Sequence, residues 1–322
     1  MKPVLDIEGL RIEIGAPGGA VRAVDELSYS VGEGETLVIV GESGSGKSVG
    51  LLSAMRLLSD PPFRVTGGSV RFNGRDVLSM PLREWRRLAG EEIGMVFQDA
   101  LTSLNPVFTV GWQIAERLRM QGVARGAATD RAIKLMQDVG IPDAAKRYRA
   151  FPHQFSGGMR QRIMIAIALA SGPSLLVCDE PTTALDVTIQ AQILELLNRH
   201  QRESGAAMIM VTHDLAVASE IADRIAVVYA GRVVEVGDME DVLFRPLHPY
   251  TSALLAASPT EEEGRLPQAI PGTAPNLTGL GEGCAFAPRC SRASELCGRV
   301  SPPRVENGTH AALCHHALEV PA

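Results

Sequence analysis

Residues 37–48 read LVIVGESGSGKS, and no other stretch limits the fold of this chain so sharply. Its first four residues are apolar, as suits a short strand buried on both faces. The strand runs into the spacing G-x-x-x-x-G-K-S, filled by Gly41, Gly46, Lys47 and Ser48. Across Gly41, Glu42, Ser43, Gly44, Ser45 and Gly46 the glycines let the backbone wrap with its N–H groups facing an anion. Lys47 is then placed to reach the outer phosphates of a nucleotide, and the Ser48 hydroxyl to ligate Mg²⁺. The helical pattern SVGLLSAMRLL that follows adds the positive end of a helix to the same spot. A Gly-rich turn that binds nothing is the plainer alternative, and the strand before it and the helix after it argue against that. The pattern demands an α/β fold, yet it does not separate kinases, GTPases, recombinases and transport ATPases.

Further apolar runs, each bounded by Gly, Pro or charge, predict companion strands: IGMVF at 93–97, LLVCD at 175–179 and AMIMV at 207–211. Between the last two, residues 186–203 carry the 3.6-residue apolar spacing of an amphipathic helix. Residues 12–24 and 224–237 read instead as hairpins, turning at Gly-rich and Ala-Gly positions. The run at 175–179 delivers Asp179 to the C-terminal edge of the sheet, where ligands of open α/β folds bind. Asp179 is there to hold Mg²⁺ through water. Glu180, one step on, is the candidate general base for an attacking water. Cys178, inside the apolar run, reads as a core thiol.

Composition excludes other classes. A net charge of −6 offers no basic field to a phosphate backbone, and 4% aromatic residues leave little to stack on single-stranded bases. The opening MKPVLDIEGL has Asp6 and Glu8 where a signal peptide needs an apolar run. The most apolar segment, IMIAIALASGPSLLVC, is broken at Gly172-Pro173 and falls short of the ~20 residues that span a bilayer. The expected location is therefore the cytoplasm, where stable disulfides are rare. Near residue 236 the chain changes character: ten of its twenty prolines and four of its five cysteines lie in residues 236–322. That segment reads as an appended module that leans on the rest or on a partner.

Five further motifs narrow the class: MVFQD with Gln98, FSGGMRQR at 155–162, DEP at 179–181, ALD at 184–186 and VTHD with His213. In order and spacing these resemble the ATP-binding-cassette (ABC) ATPases over residues 1 to about 237. The resemblance implies an ABC-type nucleotide-binding domain: a P-loop NTPase with a RecA-like core, an antiparallel β subdomain and a helical subdomain at about 99–160. It also implies roles. Ser156, Gly157 and Gly158 would cap a helix whose hydroxyl and amides bind the γ-phosphate held by the opposite subunit. Gln98 would touch Mg²⁺, beside Ser48 and Asp179, and report nucleotide state to a membrane partner. His213 would hydrogen-bond the γ-phosphate, and Asp186 would lie at the dimer seam. Met159 departs from the family's usual Gln in the signature loop. The N-terminal hairpin lacks the Tyr or Phe that the family stacks on adenine, leaving Ile14 or Val21 and predicting weaker base discrimination.

FQDALTSLNPVFTVG, FPHQFSGGMRQR and HPYTSALL at 248–255 look like the dipeptide/oligopeptide importer branch, with its nickel-transporting relatives. This places a C-terminal extension of the same type at 238–322. The intervals between Cys284, Cys290, Cys297 and Cys314 are five, six and sixteen residues, unlike a zinc knuckle or a bacterial ferredoxin run. Spacing alone leaves a soft-metal site and free thiols both open. The resemblance adds a 4Fe–4S cluster held by these four cysteines; zinc is the alternative, with His310, His315 or His316 replacing a thiol.

The resemblance thus implies an ATPase subunit, using ATP and Mg²⁺, that drives uptake of di- or oligopeptides. Its expected partners are two transmembrane permease subunits, a second, paralogous ABC ATPase and an extracytoplasmic substrate-binding protein, with no nucleic acid. Its expected place is peripheral, on the cytoplasmic face of the bacterial inner membrane. Nickel or glutathione import is the nearest alternative and a soluble, non-transport cassette ATPase a distant one.

Overall fold

The computed structural model describes residues 2–16, 19–183, 185–259 and 266–318. The chain forms two compact units. One comprises Met1–Val4, Val31–Glu35 and Met80–Met210; the other comprises Leu5–Ser30, Thr36–Ser79 and Val211–Ala322.

In the first unit, strands Ile93–Val96 and Leu175–Asp179 pair in parallel, from Ile93 opposite Leu175 to Val96 opposite Cys178. Every residue of Leu175–Asp179 is buried, as its unbroken apolar run requires, and Cys178 is a core thiol whose pKa is raised by burial. The strand expected at 93–97 stops one residue early, where Phe97 turns outward and is 37% exposed. Helix Val187–Ser204 begins where Asp186 caps the Ile189 N–H and ends at Gly205, whose φ of 69° suits glycine. It buries Ile193, Leu194, Leu196 and Leu197 and presents its polar side outward. Between Gln98 and Ser156 the expected helical patterns fold as Val110–Met120 and Arg125–Asp138, which pack on each other and on helix Gly157–Leu169. Helix Leu82–Glu92 buries Trp85 and Leu88 and leaves Arg83, Arg86 and Arg87 exposed.

In the second unit an antiparallel sheet runs in the order Gly19–Gly32, Pro3–Ala16, Phe63–Phe72, Arg75–Asp76. The hairpin expected at 12–24 is longer than its sequence signal; its tip at Pro17 and Gly18 lies outside the described residues. A second sheet orders Arg304–Asn307, His310–Leu313, Arg232–Asp238, Arg224–Tyr229 and Thr36–Val40. Thr36–Val40, all buried, pairs in parallel with Arg224–Tyr229. The expected hairpin at 224–237 turns at Ala230-Gly231, with φ of 48° and 80°, the positive pair that a tight type I′ connection uses. Strand His310–Leu313 adds to the free edge of Arg232–Asp238, with Ala312 opposite Glu235 and Ala311 opposite Val236. The Pro- and Cys-rich C-terminal segment thus completes a sheet begun 270 residues earlier in the chain, at Thr36–Val40.

No helix among the described residues is long and apolar enough to cross a membrane. The most apolar stretch is split into helix Gly157–Leu169 and strand Leu175–Asp179, with Gly172 at φ 61° between them.

Candidate functional site

The second unit carries the loop Gly41–Ser48. Strand Thr36–Val40 ends at it and helix Lys47–Ala54 leaves it, with Gly46 at φ 96° as N-cap. Two glycines are sterically required. A Cβ on Gly41 (φ 152°) would collide with the Val228 carbonyl oxygen, and one on Gly46 would stand 2.6 Å from the Ala23 carbonyl oxygen. The loop is tied to the Ala-Gly hairpin turn by the Gly231 N–H, which donates to the Ser45 carbonyl at 2.7 Å. Lys47 is buried at the centre, its Nζ donating to the carbonyls of Gly41 (2.7 Å) and Glu42 (2.8 Å) and to Ser45 Oγ (3.3 Å). The buried ammonium puts a positive charge inside the loop, as binding of a polyphosphate needs. His213 follows strand Ala207–Val211 and is exposed; beside it Asp214 caps helix Leu215–Ile221.

The first unit carries the other residues singled out from the sequence. Asp179 ends its strand 5% exposed. Glu180 follows at φ 47°, a left-handed conformation costly for a residue with a side chain and frequent where geometry serves function. Its Oε2 accepts hydrogen bonds from Gln98 Nε2 at 3.1 Å and from Thr183 Oγ1 at 2.9 Å. The structure therefore joins Gln98 and Glu180 directly, 82 positions apart in the chain. Ser156 caps helix Gly157–Leu169, its Oγ accepting the Met159 N–H at 3.4 Å, and Ser156 and Gly157 are exposed. A side chain on Gly157 would meet nothing, whereas one on Gly158 would press on Ile189 at 3.0 Å. Asp186 is exposed as well, besides its capping role.

The C-terminal segment holds what the sequence left unassigned. Glu235 is 1% exposed, and its carboxylate accepts the Leu247 N–H (2.7 Å) and the His248 N–H (2.8 Å), with His310 Nε2 at 2.7 Å. His310 is thus engaged with Glu235 and is not a candidate metal ligand, which corrects that expectation. His248 caps helix Pro249–Ala257, Nδ1 accepting the Tyr250 N–H at 3.0 Å. The proton of the neutral ring then sits on Nε2, which is buried and has no partner among the described residues. Burial pushes this imidazole down to about 4, with Glu235 opposing.

Cys284, Cys290, Cys297 and Cys314 line a single pocket, together with His248, His315 and His316. Each sulfur has a hydrogen-bonding neighbour: the Phe286 and Ala287 N–H groups at Cys284, the Arg292 N–H at Cys290 (3.4 Å), Ser294 Oγ at Cys297 (3.6 Å) and the His316 N–H at Cys314 (3.3 Å). Burial raises the pKa of Cys284 and of Cys314, and the neighbouring thiols push the same way. Four thiolates crowded here would need a cationic centre among them. Among the described residues, however, no three His, Cys, Asp or Glu side chains converge tightly enough to hold a metal ion. His315 Nε2 lies 2.9 Å from the Val300 carbonyl and His316 Nε2 2.8 Å from Ser294 Oγ.

Two family profiles match the chain: "ABC transporter" over residues 24–183, and "Oligopeptide/dipeptide transporter, C-terminal region" over residues 234–297. The oligopeptide transport ATP-binding protein OppD of Salmonella typhimurium is 48% identical over 318 residues, covering 98% of this chain and 94% of that protein. The dipeptide transport ATP-binding protein DppD of Haemophilus influenzae is 46% identical over 317 residues, covering 98% and 96%. A solved structure of a dimeric ATP-binding cassette, in a post-hydrolysis state with ADP and Pi, superposes with a TM-score of 0.66. It is 26% identical and covers 73% of this chain and 98% of its own.

Proposed function

The chain belongs to the ABC transporter family, in the branch that carries the oligopeptide/dipeptide C-terminal region, and from that premise we propose that it powers peptide uptake. It is an ATPase that uses ATP with Mg²⁺. Residues 1–237 form the ATPase part, with its helical subdomain at about 99–160, and residues 238–322 the extension. The loop Gly41–Ser48 cradles the phosphates; Ser48, Gln98 and Asp179 serve Mg²⁺, and Glu180 takes the proton of the attacking water. His213 steadies the γ-phosphate. Ser156, Gly157 and Gly158 complete the site of a facing cassette, with Asp186 at the seam. The observation that carries the peptide branch is the oligopeptide/dipeptide C-terminal region at 234–297, and the bond from Gln98 Nε2 to Glu180 Oε2 supports the ATPase roles by bringing the proposed sensor against the proposed base. The dimeric cassette with ADP and Pi supports the two-chain form of the site.

The subunit works at the cytoplasmic face of the membrane, with two permeases, a second cassette ATPase and an extracytoplasmic binding protein. The four-thiol pocket holds a 4Fe–4S cluster with a structural role. Its support is the lining of one pocket by the four cysteines, each sulfur with a hydrogen-bonding neighbour. When bound, the cluster supplies the positive charge that four thiolates require.

Uptake of labelled di- and oligopeptides, compared in cells with and without the gene and in Glu180→Gln cells, tests the assignment. Peptide uptake lost in both mutants supports it. Uptake of nickel or glutathione lost instead, with peptide uptake intact, transfers the assignment to those cargoes.

A further inference from the structure

Glu42, the second residue of the phosphate loop, is gripped twice from the C-terminal segment. Its backbone N–H donates to Tyr250 Oη at 2.9 Å. Its carboxylate receives a two-pronged bond from Arg289, with Nη1 to Oε2 at 2.6 Å and Nη2 to Oε1 at 2.9 Å. The Arg289 side chain is only 6% exposed, against 28% for Glu42. The rest of the guanidinium is also fixed: Nε donates to the Pro271 carbonyl at 2.8 Å, and Nη1 lies 3.3 Å from Tyr229 Oη. The guanidinium carbon lies 5.9 Å and 6.0 Å from the ring centres of Tyr229 and Phe286. Tyr229, Tyr250 and Phe286 pack on one another beneath it, with ring centres 4.5 to 5.3 Å apart. Buried, planar and doubly bonded, this contact is of the strong kind.

A loop with three glycines at positive φ loses much conformational freedom when it closes on a ligand. Anchoring Glu42 by both backbone and side chain removes part of that loss beforehand, and such preorganisation appears as affinity. The residue that does the anchoring sits in the short turn Ala287–Arg289, directly between two of the pocket cysteines. Cys284 N–H donates to the Cys297 carbonyl at 2.7 Å and Cys290 N–H to that of Ala287 at 3.3 Å, so the segment is laced across the pocket.

We infer that Arg289 and Tyr250 are positioning residues for the phosphate loop, through which the thiol-bearing segment sets the affinity for nucleotide. Resting on the nucleotide-site reading above, this adds to it a second control point in the C-terminal segment.

The test is equilibrium binding of a fluorescent N-methylanthraniloyl ATP analogue, with Mg²⁺, to the intact chain. Arg289→Ala should raise Kd about tenfold, and Arg289→Lys, which keeps the charge but not the fork, about threefold. In a Glu42→Gln background, Arg289→Ala should change Kd by less than about twofold, because the partner is already weakened. Tyr250→Phe should raise Kd about two- to threefold by removing one acceptor. If Arg289→Ala does not fold, as judged by its circular dichroism, Arg289→Lys and Glu42→Gln carry the test with the same threefold expectation. Lys47→Ala separates the two readings. Loss of binding in Lys47→Ala with unchanged Kd in the Arg289 variants overturns the inference alone. Undiminished binding in Lys47→Ala overturns the nucleotide-site reading on which it rests.

Discussion

Replacing Glu235 by alanine should loosen the whole C-terminal segment. The carboxylate is the meeting point of three elements: its own strand Arg232–Asp238, the start of helix Pro249–Ala257 and strand His310–Leu313. It serves three buried groups, the N–H donors of Leu247 and His248 and the ring nitrogen of His310, all within 2.7–2.8 Å. Its side chain is fully buried and that of His310 is 2% exposed, so water does not readily replace it. A buried donor left without a partner costs about 1–3 kcal/mol, and three such groups give about 3–6 kcal/mol when the gap partly rehydrates. That is a large share of the roughly 5–15 kcal/mol that holds an ordinary domain together. Glu235→Gln keeps the shape and one acceptor, so it should cost less, about 1–3 kcal/mol. Urea unfolding followed by far-ultraviolet circular dichroism measures both. Glu235→Ala within 1 kcal/mol of the parent, or more stable than Glu235→Gln, would refute the reasoning.

Three further expectations follow from other parts of the molecule. The imidazole of His248 lies at about 4 in the folded chain and near 6.5 when unfolded, so the fold favours its neutral form. Its contribution, about 3 kcal/mol, is complete above pH 6.5 and lost as pH falls toward 4. Urea unfolding of the parent should therefore weaken over that window by about this much more than that of His248→Asn; equal slopes contradict it. Anaerobically purified chain should contain iron and acid-labile sulfide in equal amounts, with loss of both in Cys290→Ser; a colourless protein with stoichiometric zinc contradicts the cluster. Lacking an aromatic platform at residues 12–24, the chain should hydrolyse GTP at a rate within a few-fold of ATP, and a strong ATP preference counts against that.

The parts legible in the sequence were those written in local patterns. The strand–loop–helix at residues 36–54, the wholly apolar strands ending at Asp179 and Val211, and the Ala230-Gly231 turn each carry their geometry in neighbouring residues. Helix Pro249–Ala257 also starts in a local pattern, Pro at the first helical position after a capping side chain. Long-range polar pairing was not legible. Arg289 and Glu42 stand 247 positions apart, and nothing in FAPRC or GESGSGKS announces a partner. Glu235 in RVVEVG looks like the outward residue of an alternating strand; it is buried because two N–H groups and an imidazole from later in the chain converge on it. His310 departs from the metal-ligand expectation for the same reason: its closeness to Cys314 in sequence masks its turn toward Glu235 in space.

The proposed site is shared between two cassettes, and mixing two crippled chains tests this most directly. Lys47→Ala disables a chain's own phosphate loop, and Ser156→Ala disables what it offers to its neighbour. Each alone should hydrolyse ATP at a background rate. Without the second cassette ATPase, and at concentrations where the chain pairs with itself, half of the pairs in an equimolar mixture are mixed; each mixed pair regains one intact site, so turnover should recover to about a quarter of the parent pair's rate. A mixture shown by sedimentation to contain pairs yet no more active than its two components, or a Ser156→Ala chain as fast as the parent, would contradict the shared site.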